Sequence, residues 1–197
     1  MTGRHILGAR NIFLALLLVT GAYAAVIVGF HSCGAETASL ADDIFDATEP
    51  VAETVSRALP IVHIYTGKLH AMGQYCSAEM VGNVYPVTAM VLLLAICVSL
   101  LNIKGLLKEY EDNRWATDTR SHKAKMKFHL AVIVMFGVAA VFGYTFFFGD
   151  PLMEIPGRPS DNIHLNKWNI LRGPIFGSLF YICLMKAIVV RKYVSKL

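Results

Sequence analysis

Four long runs of apolar residues dominate the pattern of this chain, and more polar segments separate them. Each run is about as long as the ~20 residues that a helix needs to cross a ~30 Å hydrocarbon core. The pattern predicts an all-α, polytopic membrane protein with four transmembrane helices in one membrane domain, residues 1–197. The runs lie at about residues 11–30, 86–103, 128–148 and 174–190.

Composition supports this prediction. The chain is 55% hydrophobic and only 16% charged, whereas ordinary soluble domains have ~25% charged residues. Arg4 and Arg10 before the first run, and the tripeptide Ala-Tyr-Ala at 22–24, also resemble a cleaved signal peptide. The run stays apolar as far as Phe30, which is long enough to span, so we expect a retained helix.

Charge is distributed asymmetrically across the predicted spans. The side that holds both termini and the loop at 104–127 carries 13 of the 18 Lys and Arg residues, and the other side carries ten of the 14 acidic residues. The positive-inside rule then places both termini inside a bacterial inner membrane or an organelle inner membrane. A basic inner face also attracts anionic lipids. Nothing in this pattern points to nucleic acid.

The segment at 31–85 is predicted to form an outer helical cap between the first two spans. Ser39 and Asp42 are typical of a helix start, and apolar residues then recur near helical spacing. Pro50 and Pro60 are expected to break the stretch into short helices.

Prolines also suggest where the later spans begin. Pro86 and Pro174 are predicted to occupy the first turns of the second and fourth helices. The inner loop, 104–127, is expected to extend the second helix and turn near 113–119. The outer loop, 149–173, is expected to be irregular.

Small residues recur at spacing four in two of the spans. Such stripes let another helix approach closely, within the chain or from another subunit. Frequent Gly and Ala in transmembrane helices would produce the same pattern without specific packing. The candidate packing residues are Gly21, Ala25 and Gly29 in the first helix, and Ala139 and Gly143 in the third.

Two of the four cysteines, Cys33 and Cys76, fall in the predicted outer segment. In an oxidising compartment they can form a structural disulfide that closes a long loop. Cys97 and Cys183 lie within spans and are expected to be ordinary apolar residues. There is no Cys-x-x-Cys pair of the kind that redox enzymes use.

Histidines raise the possibility of a bound cofactor. His31 and His129 lie at opposite ends of spans, so they cannot share one haem, although either could ligate a chlorophyll-type pigment. Soft ligands are also concentrated in the outer segment, where a copper site is conceivable, but a Met stripe more often reflects packing. That set is His63, His70, Met72, Cys76 and Met80. We predict lipids as ligands and no cofactor.

The chain lacks the signatures of common catalytic sites. It has no Walker loop, His-Glu-x-x-His or Gly-x-Ser-x-Gly motif, and no carboxylate falls within a span. We therefore expect no catalytic activity, and an accessory or scaffold subunit of a larger respiratory, photosynthetic or secretion complex. The partners would be other integral membrane subunits. The alternatives are a haem- or pigment-holding electron-transport subunit, and a small-solute channel lined by hydroxyl residues.

Overall fold

The structure, a computed structural model, describes residues 9–33, 39–112, 122–149 and 170–195. Over these residues the protein is all-helical and has no strands. The helices within them are α1 (Ala9–Phe30), α2 (Leu40–Ser56), α3 (Pro60–Ala71), α4 (Tyr75–Leu101), α5 (Ile103–Asp112), α6 (His122–Phe148) and α7 (Arg172–Val194).

Four of these helices are long and apolar enough to cross a membrane. Their candidate spans are Arg10–Phe30, Tyr75–Leu101, Met126–Phe148 and Arg172–Val194. The predicted all-α class and the four apolar helices are thereby confirmed, and they fit an integral multi-pass membrane protein. The identity of the membrane and the side on which the termini lie stay predictions.

The predicted start of the second span is wrong. α4 begins at Tyr75, and Pro86 lies buried inside it. Helices in membranes tolerate an internal proline, because neighbouring groups can satisfy the backbone that it leaves unpaired. The polar residues Glu79 and Asn83 made the segment before Pro86 look unlike a span. Asn83 is in fact buried against the segment that follows α1.

The segment at 31–85 contains two short helices, but Pro50 does not separate them. Pro50 lies on the exposed side of α2, which continues to Ser56. An exposed proline costs the helix less, since water can solvate the carbonyl left without a partner. Pro60 does occupy the first position of α3. Both helices pack against α4, while their place outside a membrane stays a prediction.

The predicted loops are only partly described. α5 follows α4 directly after Asn102, so the inner loop starts as a helix, as expected. The predicted turn at 113–119, and all of the outer loop except its ends, lie outside the described residues. Pro174 falls in the first turn of α7, as predicted.

α7 is the central helix of the bundle. It contacts α1, α4, α5 and α6, and α1 and α4 also pack on each other. α6 packs chiefly on α7 and makes little contact with α1 or α4 in the described part of the chain. The spans therefore form a triad of α1, α4 and α7, with α6 attached to one side of α7.

Glycines allow the closest approach between α6 and α7. A Cβ atom added at Gly143 would lie 3.0 Å from the ring of Phe180, and one at Gly177 would lie 3.3 Å from the ring of Phe146. Ala139 is also buried. The small residues of the third span thus lie where α6 meets α7.

Candidate functional site

Asp42 organises the junction between α1 and α2. Its carboxylate accepts hydrogen bonds from the backbone N–H groups of Ser32 (2.9 Å) and Ser39 (2.7 Å) and from the Ser39 hydroxyl (2.8 Å). The Nδ1 atom of His31 lies 2.7 Å from the same carboxylate. The bond from Ser32, followed by those from Ser39, holds the pKa of Asp42 well below its usual range.

The imidazole of His31 is held on two sides and is 8% exposed. Its ring stacks on Phe45, with the centroids 4.1 Å apart and the planes 8° from parallel. An Nδ1–H donated to Asp42 leaves Nε2 with a free lone pair when the ring is neutral. That nitrogen is buried and makes no hydrogen bond to any described residue. Oε2 of Glu79 lies 3.9 Å away from it.

A disulfide joins the two ends of this region. Cys33 and Cys76 are bonded in the structure, with their Cα atoms 5.3 Å apart, well within the normal range. The bridge connects the residues just after α1 to the first turn of α4. The predicted pairing is thus the one that the structure contains, and the sulfur of Cys33 lies beside His31.

A group of polar side chains connects α1, α2 and α4 a little deeper in the fold. The hydroxyl of Tyr23 donates to the side-chain oxygen of Asn83 and lies 2.8 Å from the hydroxyl of Thr48. The amide nitrogen of Asn83 donates to the carbonyl of Phe45 at 3.3 Å. These bonds hold α2 against both spans, close to His31.

Hydroxyl groups in the spans largely bond within the chain. The buried hydroxyls of Ser99 and Tyr181 lie 2.6 Å apart and connect α4 to α7. Thr20 donates to the Leu16 carbonyl of its own helix. These contacts favour helix packing as the role of these hydroxyls over the lining of a solute path.

The structure separates the other candidate ligands. His63, His70 and Met72 are exposed, Met80 is buried, and Cys76 is in the disulfide. His63 and His70 belong to no group of three His, Cys, Asp or Glu residues close enough to share a metal ion in the described chain. His129 is exposed near the start of α6. Copper binding and pigment binding stay predictions without a composite site.

The small-residue stripe of α1 faces no other described part of this chain. A Cβ atom added at Gly21 or Gly29 would meet no heavy atom within 4 Å, and Ala25 is exposed. In this respect α1 differs from α6, whose small residues are used against α7. The stripe is therefore open to lipid or to a helix of another subunit.

A largely apolar groove of about 540 Å³ lies between α1 and α6, and α7 lines it from Tyr181 to Val190. Nine residue steps at 1.5 Å make its length about 14 Å along α7. Phe13 on α1 and Met135 on α6 form part of its walls. Charged residues border the groove where α1 begins and α7 nears its end: Arg10, Glu109 and Lys186.

Comparisons with known proteins identify no relative. No protein-family model matches the chain, and searches of curated proteins and of solved structures found no significant match.

Sequence reasoning missed the surroundings of His31. Asp42 was recognised only as a helix start, and neither Phe45 nor Glu79 attracted attention. One signal was present: Cys76 and Glu79 are three residues apart, so on a helix they share a face. The prediction of a loop before Pro86 concealed that helix.

Proposed function

We propose that this protein is a non-catalytic accessory or scaffold subunit of a larger membrane protein complex. Its partner is a transmembrane helix of another subunit, packed in the groove between α1 and α6. The groove carries the proposal, because a bundle that packs α6 only at the side of α7 leaves room for one more helix. Respiratory, photosynthetic and secretion complexes are the candidate assemblies.

The chemistry of the groove favours a helix as its occupant. Its walls are mainly apolar, and its length of about 14 Å corresponds to between two and three helical turns. Arg10 and Lys186 at one end are exposed and lie within reach of an acidic residue on the partner. A helix with an apolar ridge and a carboxylate near that end therefore complements the groove.

The stripe on α1 offers a second surface for the same kind of contact. Since Gly21 and Gly29 leave open space beside α1, a partner helix can approach its backbone closely there. Van der Waals packing of this type drives helix association in lipid, where the hydrophobic effect between helices is absent.

Filling the groove tests the proposal. Met135→Trp adds a bulky ring to the groove wall, whereas Val134→Trp adds the same ring at an exposed position that does not line the groove. After gentle solubilisation from the native membrane, we expect Met135→Trp to retain at most a tenth of the partner subunits that the wild-type protein retains. Val134→Trp should retain them. Undiminished partners with Met135→Trp would refute the groove as the docking site.

The same variants also bear on the channel alternative. An accessory subunit reconstituted alone in liposomes should give no flux of small solutes above that of empty vesicles. Solute flux that Met135→Trp blocks and Val134→Trp preserves would instead make the groove a transport path.

A further inference from the structure

His31 has an unusual environment for a structural histidine. The side chain is 8% exposed, Asp42 and Phe45 fix the ring, and the buried Nε2 has no hydrogen-bond partner among the described residues. A buried nitrogen without a partner is costly, so such groups call for a specific explanation. A carboxylate that orients the far nitrogen of an imidazole is also the usual support of a metal-binding histidine.

The atoms around Nε2 are metal ligands. One donor atom each from His31, Cys33 and Glu79 lie within 4.8 Å of one another, the single group of this kind in the part of the chain that the structure describes. Cys76 adds a fourth donor, because its sulfur is bonded to that of Cys33. It lies three residues before Glu79, on the same face of the first turns of α4.

We propose that His31, Cys33, Cys76 and Glu79 form a zinc-binding site when the Cys33–Cys76 disulfide is reduced. Two thiolates, one imidazole and one carboxylate are a suitable set for tetrahedral Zn²⁺. The carboxylate makes the set less suitable for Cu(I), which prefers sulfur ligands. The proposal is independent of helix docking, since the site lies at the other end of α1 from Arg10 and the groove.

The spacing of the donors agrees with this assignment. Tetrahedral Zn–N and Zn–O bonds of about 2.0–2.2 Å place the two ligand atoms about 3.3–3.5 Å apart. Nε2 of His31 and Oε2 of Glu79 are 3.9 Å apart, so a small movement of Glu79 would close the site. The side chain of Glu79 is 54% exposed and free to move, whereas the ring of His31 is held in place.

Disulfide and zinc are therefore alternative states of the same junction. A dithiol reductant transfers two electrons and two protons to the disulfide, which gives two Cys thiols and the cyclic disulfide of the reductant. Zn²⁺ then displaces the two thiol protons and binds both thiolates. In either state the end of α1 stays attached to the start of α4.

Cobalt provides a visible probe for this site. The full-length protein in detergent is reduced under argon, freed of reductant and titrated with Co²⁺. We expect one Co²⁺ per chain, with a thiolate-to-cobalt band and the visible bands of a tetrahedral site, all displaced by Zn²⁺. The oxidised protein should give none of these bands. Their absence in the reduced protein, or their presence in the oxidised protein, would overturn the proposal.

Matched variants identify the ligands. Cys33→Ser should abolish the thiolate band, whereas Cys97→Ser, in a membrane helix away from the site, should preserve it. Glu79→Gln should weaken Zn²⁺ binding roughly tenfold or more, and Glu53→Gln on exposed α2 should leave it unchanged. His31→Ala should act like Glu79→Gln. Because Glu79 is exposed, its variant is expected to fold even if His31→Ala does not. Unchanged Zn²⁺ affinity in Glu79→Gln would overturn the four-ligand site.

Discussion

At the residue scale, Asp42 shows how one side chain can organise the contact between two helices. Its two oxygens accept bonds from Ser32 and Ser39 and hold the ring of His31. The capping role of Ser39 and Asp42 was predictable from the sequence, because a capping box is a local pattern. The contact with His31 was not, since it depends on how the chain returns after residue 33.

The pH dependence of stability should reveal this role. A carboxyl group whose pKa is lowered in the folded state stabilises the fold above its unfolded pKa of 3.8, and this stabilisation is lost as the pH falls through the folded pKa. Asp42→Asn should therefore lower the Tm at pH 7, and its difference from the wild-type protein should shrink below about pH 4. Thermal unfolding in detergent between pH 3 and pH 8 measures this difference.

The exposed neighbour Asp43 supplies the control for that measurement. Asp43→Asn removes the same charge from the first turn of α2 but none of the bonds to Ser32, Ser39 or His31. Its Tm at pH 7 should stay close to that of the wild-type protein. A loss with Asp43→Asn as large as with Asp42→Asn would mean that helix-terminal charge, rather than the bonded junction, accounts for the effect.

At the element scale, the apolar runs predicted the four long helices well but predicted their ends poorly. The run after Pro86 was correctly recognised, yet α4 starts at Tyr75 because Asn83 and Glu79 lie on a helix that packs against other protein segments rather than lipid. Pro50 misled in a similar way, since an exposed proline can remain within a helix. Hydropathy reports the solvent around a segment and says little about polar residues covered by protein.

The two small-residue stripes should respond differently to the same substitution. Gly143→Leu must displace the ring of Phe180, and overpacking of this kind costs roughly 1–3 kcal/mol. Gly21→Leu projects into open space and should leave the unfolding free energy nearly unchanged. Thermal or chemical unfolding of the purified chain in detergent compares the two variants directly.

Association should show the reverse order for the α1 stripe. Gly21→Leu combined with Gly29→Leu should reduce the recovery of partner subunits from the native membrane while the chain itself stays folded. If both partner recovery and stability are unchanged in this double variant, the stripe is a lipid-facing surface and has no part in assembly.

At the scale of the whole molecule, the arrangement of the spans carries the account. The order of helices in the sequence does not indicate that α7 is central or that α6 lies to one side of it. That arrangement depends on where side chains such as Phe180 and Phe146 meet glycines, which no single-helix pattern contains. The groove follows from the arrangement, and so it could not be predicted from the sequence.

The same arrangement explains why the apolar surface is so extensive. Large side chains on α1, α4 and α6 are exposed, as expected where helices face lipid or other subunits. Among the groups that bond inside the chain, Ser99 with Tyr181 and Tyr23 with Asn83 lie at helix contacts. The described spans thus use their polar groups for packing.

The most direct measurement is the native size of the protein, solubilised gently from its own membrane, together with mass spectrometry of whatever migrates with it. The account predicts a particle much larger than the 21.7 kDa chain with its detergent, containing other integral membrane subunits in fixed stoichiometry. Migration as a single chain or a small homo-oligomer, with no stoichiometric partner, would contradict it.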